Sequence, residues 1–155
     1  MSRAVDRFEQ AAFERGLRIE IKRFPEGTRT APAAARAVGC EVGQIVKSLV
    51  FMADGEPVLA LTSGANRADT SKLAALLGGA EVRRASADEA REATGFAIGG
   101  TPPLGFGRPI RVLMDRDLQA YDEVWAAAGT PDAVFRIRPS DLQRAAGAEV
   151  VDLRE

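Results

Sequence analysis

Lys47 is the one full charge in a run of nine residues of which seven are apolar or small, Gly43-Gln44-Ile45-Val46-Lys47-Ser48-Leu49-Val50-Phe51. Its β-branched and aromatic content, short length and leading glycine suggest a buried strand. Strand alternation puts Ile45, Lys47, Leu49 and Phe51 on one face. A lysine there has two readings. Its ammonium snorkels to water along the strand end, or it lies at the floor of a pocket. A desolvated charge in a pocket needs a partner, which a ligand can supply.

The second unusual stretch is Gly99-Gly100-Thr101-Pro102-Pro103-Leu104-Gly105-Phe106-Gly107. Glycine lets the main chain come close to another group, and proline stiffens the path. The segment reads either as such a loop or as a plain connector of two turns. It lacks the Gly-Lys-Ser/Thr ending of a Walker A loop. No helix is expected to start there, so it is not a dinucleotide fingerprint.

Other chemistry is narrowed by what is missing. The sequence has no histidine, which removes Ser-His-Asp and Cys-His triads and every histidine-based metal site. Cys40 is the only cysteine, so no intrachain disulfide can form, as suits a reducing cytosol. It reads as a small core residue rather than a reactive thiol. The net charge of −1 gives no global field toward nucleic acid or a membrane. No apolar run approaches the ~20 residues of a membrane span. Met1 to Arg7 lacks the apolar centre of a signal peptide.

Regular elements must position these groups, and 155 residues are enough for one sizeable core. Val5, Phe8, Ala12 and Phe13 suit one face of a first helix ending near Gly16. Leu17, Ile19 and Ile21 alternate as a half-buried strand. Phe24-Pro25-Glu26-Gly27 is a turn. Thr30 reads as a helix cap rather than a ligand, with Pro32 in the first turn and Gly39 closing the helix. Asp54-Gly55 marks a hairpin returning through residues 57–63. A polar loop, Gly64 to Arg67, leads to a helix capped by Asp69 or Thr70. That helix carries Leu73, Leu76 and Leu77 and stops at Gly78-Gly79. Glu81 to Ala85 is a short strand. Ser86 and Glu89 make a capping box for a helix ending at Thr94-Gly95. Phe96 to Ile98 and Ile110 to Met114 read as strands, and Tyr121 to Ala128 as a short helix or loop. Ala133 to Arg138 alternates as a strand. Ser140 to Gln143 matches a second capping box, for a helix ending at Gly147, and Glu149 to Asp152 is a last strand. The expected fold is α/β: a curved mixed sheet with Ile45–Met52 near its centre and helices packed on it. Ser48 faces away from Lys47 and is expected to bond to main chain. Asp132 and Asp141 read as turn and cap residues.

In the order and spacing of several segments the chain resembles the YbaK/EbsC family, stand-alone relatives of the editing domain inserted in bacterial prolyl-tRNA synthetases. The matching stretches are Thr30 to Gly39, Gln44 to Phe51, Lys72 to Gly78, Thr94 to Phe96, Gly99 to Gly105 and Ser140 to Leu142. The likeness runs from about Leu17 to the C-terminus. It implies one editing domain over residues 1–155, hydrolysing the ester between a wrong amino acid and a tRNA (Cys-tRNA(Pro) or Ala-tRNA(Pro) type), in trans to a synthetase. The family's strand lysine corresponds to Lys47, and its Gly-x-x-x-Pro loop to Gly99 through Pro103. This brings the pocket reading of Lys47 to the front. Lys47, Gly99 and Gly100 are then the candidate catalytic groups, and Thr30, Thr101, Pro102 and Pro103 further substrate contacts.

With no histidine, and no base to activate Cys40, a covalent intermediate is not expected. Orientation and electrostatics would act on an ester that is already activated. No metal or cofactor is expected. The expected partners are an aminoacyl-tRNA acceptor end and a prolyl-tRNA synthetase, with no membrane, in a cytoplasmic monomer or homodimer. Arg83, Arg84, Arg108, Arg111, Arg116, Arg136 and Arg138 either form a tRNA-facing patch or are scattered surface charges. The alternative, favoured by the lack of a conventional acid or base, is a module that binds aminoacyl-tRNA or a synthetase without hydrolysis. A sheet-edge interaction protein is a third reading.

Overall fold

The computed structural model describes residues 3–25, 27, 28 and 30–155. Glu26 of the expected turn, and Met1 and Ser2 of the N-terminal stretch, lie outside the described residues. The turn is closed by the Gly27 N–H donating to the Phe24 oxygen at 2.8 Å.

Helix α1 (Arg3–Glu14) buries Val5, Phe8, Ala11 and Ala12. Phe13 was expected on that face but is 75% exposed. One helical residue turns the side chain by about 100°, which carries Phe13 past the apolar stripe. Strand β1 (Ile21–Arg23) is shorter than the expected strand from Leu17. The Leu17 N–H is already used at the helix end, donating to the Ala12 oxygen at 3.0 Å. Helix α2 (Ala31–Val38) starts where the Thr30 hydroxyl accepts the Ala33 N–H and stops at left-handed Gly39.

After a 3-10 turn (Val42–Gln44) comes β2 (Val46–Ala53), joined to β3 (Glu56–Ser63) through Asp54 and Gly55. Both turn residues have positive φ, 49° and 81°, the geometry that matches the twist of a tight hairpin. Helix α3 (Thr70–Leu76) is capped by Asp69 and buries Leu73, while Leu76 is exposed. Strand β4 (Val82–Arg84) precedes α4 (Ala87–Thr94), which carries the full Ser86–Glu89 capping box.

The expected strand at Phe96–Ile98 is absent; Phe96 lies in a bend and Ile98 in a turn. The Thr94 hydroxyl accepts the Phe96 N–H at 3.1 Å and so removes it from any ladder. Strand β5 (Arg111–Asp115) runs into a 3-10 turn (Arg116–Ala120). The stretch read as helix or loop around Trp125 is strand β6 (Val124–Ala127), paired with β7 (Ala133–Ile137). Helix α5 (Pro139–Ala146) begins two residues earlier than a Ser140 cap would start it. Pro139 fills the first helical position, where its missing N–H costs nothing. Arg138 is therefore the cap residue and makes no side-chain cap bond. Strand β8 (Glu149–Val151) ends the order.

The strands form a five-stranded mixed sheet, β4-β2-β3-β5-β8, and a three-stranded antiparallel sheet, β1-β7-β6. Strand β3 is buried on both faces, as its unbroken apolar run requires. Leu59 and Leu61 join Phe8, Phe96 and Phe135 in the larger core. Val58 and Ala60 join Phe51, Leu73 and Leu113 in a second core. The two sheets approach at Ile45, which bridges to Trp125. At its other end β2 pairs with β4 only through Phe51–Ala53. Between these two points the outer edge of β2 has no ladder partner among the described residues, and the candidate site lies along that edge.

Candidate active site

A cavity of about 380 Å³ opens beside this edge of β2, whose Val50 oxygen accepts the Ala85 N–H at 3.0 Å, with Val46 to Val50 along one wall. Trp125, Ala126 and Ala127 of β6 face it, with Ala31 and Ala34 of α2 and Ala85 and Ala90 around α4. Most of the wall is apolar, so the space suits an uncharged group.

Lys47, Thr30, Gly99 and Thr101 all line this one cavity. The Lys47 side chain is half-buried, and its ammonium donates to the main-chain oxygen of Asn66 at 2.5 Å. Burial holds its pKa below the usual lysine range. Arg84 and then Arg67 push the same way, and Asp115 opposes them. The cation thus sits among other cations, an arrangement that favours an anionic or carbonyl-oxygen partner.

Thr30 faces the cavity while its hydroxyl caps α2, accepting the Ala33 N–H at 3.2 Å. Gly99 has φ 88°, a conformation that glycine adopts without strain. The Thr101 hydroxyl is tied to the Ala97 oxygen at 3.1 Å. Gly100, Pro102 and Pro103 are buried but do not line the cavity. A side chain on Gly100 would collide with the Thr130 main chain, so this glycine seats the loop against the segment after β6.

Cys40 does not line the cavity. Its thiol donates to the Glu41 oxygen at 3.3 Å, and burial, then Glu41, raises its pKa. Both effects oppose the thiolate. Asp132 accepts from the Thr130 hydroxyl at 2.5 Å and Asp141 pairs with Arg144 at 3.2 Å; neither lines the cavity. Among the described residues no group of three or more Cys, Asp or Glu could hold a metal ion. Among them, too, no helix is long and apolar enough to cross a membrane.

Gly64 and Ile98 are not singled out by the sequence, and Ser48 and Arg84 are, but not as parts of this wall. Ser48 lines the cavity, and its hydroxyl oxygen is buried with no hydrogen-bond partner among the described residues. The expected bond to main chain is therefore not formed. Gly64 also lines the cavity, and a side chain there would strike the Val42 oxygen and the Ala31 Cβ. Arg84 sits on the rim of the same space, with its guanidinium 5.5 Å from the Phe51 ring centroid. Ile98, half-exposed, contributes an apolar edge. In the sequence Arg84 reads only as part of a tRNA-facing patch or as a scattered surface charge, and the glycine after β3 gives no further signal.

Comparison with known proteins bears on what such a cavity holds. A family model described as an aminoacyl-tRNA editing domain matches residues 25–145. A solved structure described as a candidate trans-editing enzyme for prolyl tRNA synthetase is 48% identical, with a TM-score of 0.95, covering 100% of this chain and 99% of that one. The uncharacterized protein YwhH of Bacillus subtilis is 27% identical over 123 residues, 79% of this chain and 78% of its own length. The proline–tRNA ligase of Nitratidesulfovibrio vulgaris is 33% identical over 129 residues, 83% of this chain. The match covers 22% of that ligase, so the chain corresponds to a small part of it.

Proposed function

The chain belongs to the aminoacyl-tRNA editing domain family, and from that premise we propose that it is a trans-editing hydrolase. Its substrate is a tRNA carrying the wrong small amino acid, of the Ala-tRNA(Pro) or Cys-tRNA(Pro) type. The observation that carries this reading is that Lys47 and Gly99, far apart in sequence, line one mainly apolar cavity.

The aminoacyl group enters the cavity and the rest of the tRNA stays outside. The mainly apolar walls favour an uncharged side chain. An extra methylene changes binding by only about 1–3 kcal/mol, so steric exclusion of larger residues is the main filter. The Lys47 ammonium holds the terminal ribose or phosphate, or the oxygen that gains charge as the carbonyl is attacked. Main-chain N–H groups near Gly99 approach the same carbonyl. Water, or a hydroxyl or thiol of the substrate, supplies the attacking atom. The carbon–oxygen bond to the ribose then breaks, and the ribose oxygen leaves with a proton. Holding these groups in place contributes several kcal/mol without a dedicated base.

A panel of tRNAs charged with alanine, cysteine, serine and proline, incubated with the protein, tests the reading. Release of one small amino acid, with Pro-tRNA(Pro) left intact, is the expected result. Binding without release of any amino acid would replace the enzyme with a non-catalytic module.

A further inference from the structure

Lys47 is held by a main-chain oxygen, and the residue carrying that oxygen is itself held by a hydrogen-bond network centred on buried Asp115. The Asn66 amide donates to Asp115 Oδ2 at 2.9 Å and to Asp117 Oδ2 at 2.8 Å. Asp115 Oδ2 also accepts the Ser63 N–H at 3.0 Å, and its Oδ1 accepts the Asp117 N–H at 2.9 Å. Arg154 closes the network on Asp117 Oδ2 at 2.8 Å. Asp115 is 1% exposed, so its carboxylate depends on these donors in place of water.

The network joins the ends of two parallel neighbours. Strand β3 ends at Ser63 and β5 ends at Asp115. The loop bearing Asn66 leaves β3 and turns back under the carboxylate. Lys47 lies opposite Thr62 on the next strand, so a shift of this loop moves the oxygen that orients the ammonium.

We propose that Asn66 and Asp115 are positioning residues that act through Lys47. Asp115 fixes the Asn66 amide, Asn66 fixes its own carbonyl, and that carbonyl aims the ammonium into the cavity. The negative charge of Asp115 also favours the protonated amine, against Arg84 and Arg67. The proposal rests on the reading of Lys47 as the substrate-facing cation. A purely structural role, pinning the loop for stability alone, makes different predictions.

The test has two arms. In the first, needing no activity, the side-chain 15Nζ and 13Cε resonances of the three lysines, Lys22, Lys47 and Lys72, are followed in the wild type, Asn66→Ala and Asp115→Asn. The expected result is that Asn66→Ala moves the Lys47 signals toward those of the two other lysines, and that Asp115→Asn lowers the pH at which Lys47 titrates. In the second arm, deacylation by Asn66→Ala, Lys47→Ala and the double variant forms a cycle. Asn66→Ala is expected to lower kcat about tenfold with KM within about twofold, and to add nothing once Lys47 is gone. Unchanged Lys47 signals in Asn66→Ala, or an Asn66→Ala loss that persists in full in the Lys47→Ala background, overturns the proposal. A wild type without deacylase activity overturns the proposed function instead, and the first arm still decides the positioning. If Asp115→Asn does not fold, Asn66→Ala decides alone.

Discussion

A Cβ placed on Gly100 would lie 2.6 Å from the Thr130 Cα and 2.8 Å from its carbonyl carbon. The candidate loop is thus seated directly on the main chain that follows β6. Main chain cannot swing aside as a flexible side chain can. Gly100→Ala should push the Gly99–Pro103 loop off its seat, costing about 1–3 kcal/mol of stability, the usual range for overpacking. Urea denaturation reads that loss. Deacylation should fall as well, because Gly99 and Thr101 move with the loop. A variant of unchanged stability would mean that the contact with Thr130 does not hold the loop.

Lys47→Ala should leave a folded protein with little activity. The ammonium sits at the edge of a strand and its removal exposes no large apolar surface. The lost electrostatic donor should cost about 2–4 kcal/mol in the transition state, on the order of 10²–10³ in rate. Cys40→Ala should stay close to wild type, since burial and Glu41 keep the thiol protonated. Single-turnover deacylation, with circular dichroism as a check on folding, separates the two variants. A folded but inactive Cys40→Ala would point to a nucleophilic mechanism.

The rate should depend on pH through Lys47, with a sign that can be worked out. The useful form is the charged ammonium, so activity falls as pH rises through the Lys47 pKa. That pKa is depressed by burial, then by Arg84 and Arg67, while Asp115 opposes them. Removing a neighbouring cation makes protonation easier. Arg84→Gln should therefore shift the alkaline limb of the rate profile to higher pH. Spontaneous ester hydrolysis must be subtracted at each pH, because it also grows in base. A shift to lower pH would show that Arg84 does not act on Lys47 as a neighbouring charge.

Elements written in local chemistry were legible in the sequence. The Asp54-Gly55 hairpin, the Thr30 and Ser86 caps and the Gly39 and Gly95 stops depend on residues a few positions apart, and each is present. Strand β6, Val124-Trp125-Ala126-Ala127, was not legible because only its first two residues favour a strand and alanines follow. It becomes a strand by pairing with β7, and local composition does not encode that partner. The second sheet was missed for the same reason. At the site, a charge within an apolar run and a glycine-proline loop drew attention to Lys47 and Gly99. Asn66 and Asp115 are 49 residues apart. They meet only because β3 and β5 end side by side, so neither stood out among ordinary loop and strand-end residues.

Ser48→Ala should not destabilise the protein, which is unusual for a half-buried serine whose hydroxyl oxygen is buried in a central strand. Removing a hydroxyl that makes a hydrogen bond typically costs about 1 kcal/mol, while a buried hydroxyl with no partner is itself a cost of about 1–3 kcal/mol. The Ser48 oxygen is buried with no partner among the described residues, so the substitution removes an unfavourable group and breaks no described bond. Alanine fits the space that serine occupies and leaves the β2–β3 ladder intact. The lower strand propensity of alanine opposes the gain by a few tenths of a kcal/mol. Stability should therefore stay level or rise by up to about 1 kcal/mol. Chemical denaturation of the two proteins side by side measures this. A loss above about 1 kcal/mol would mean that an ordered water already satisfies the hydroxyl within the cavity wall.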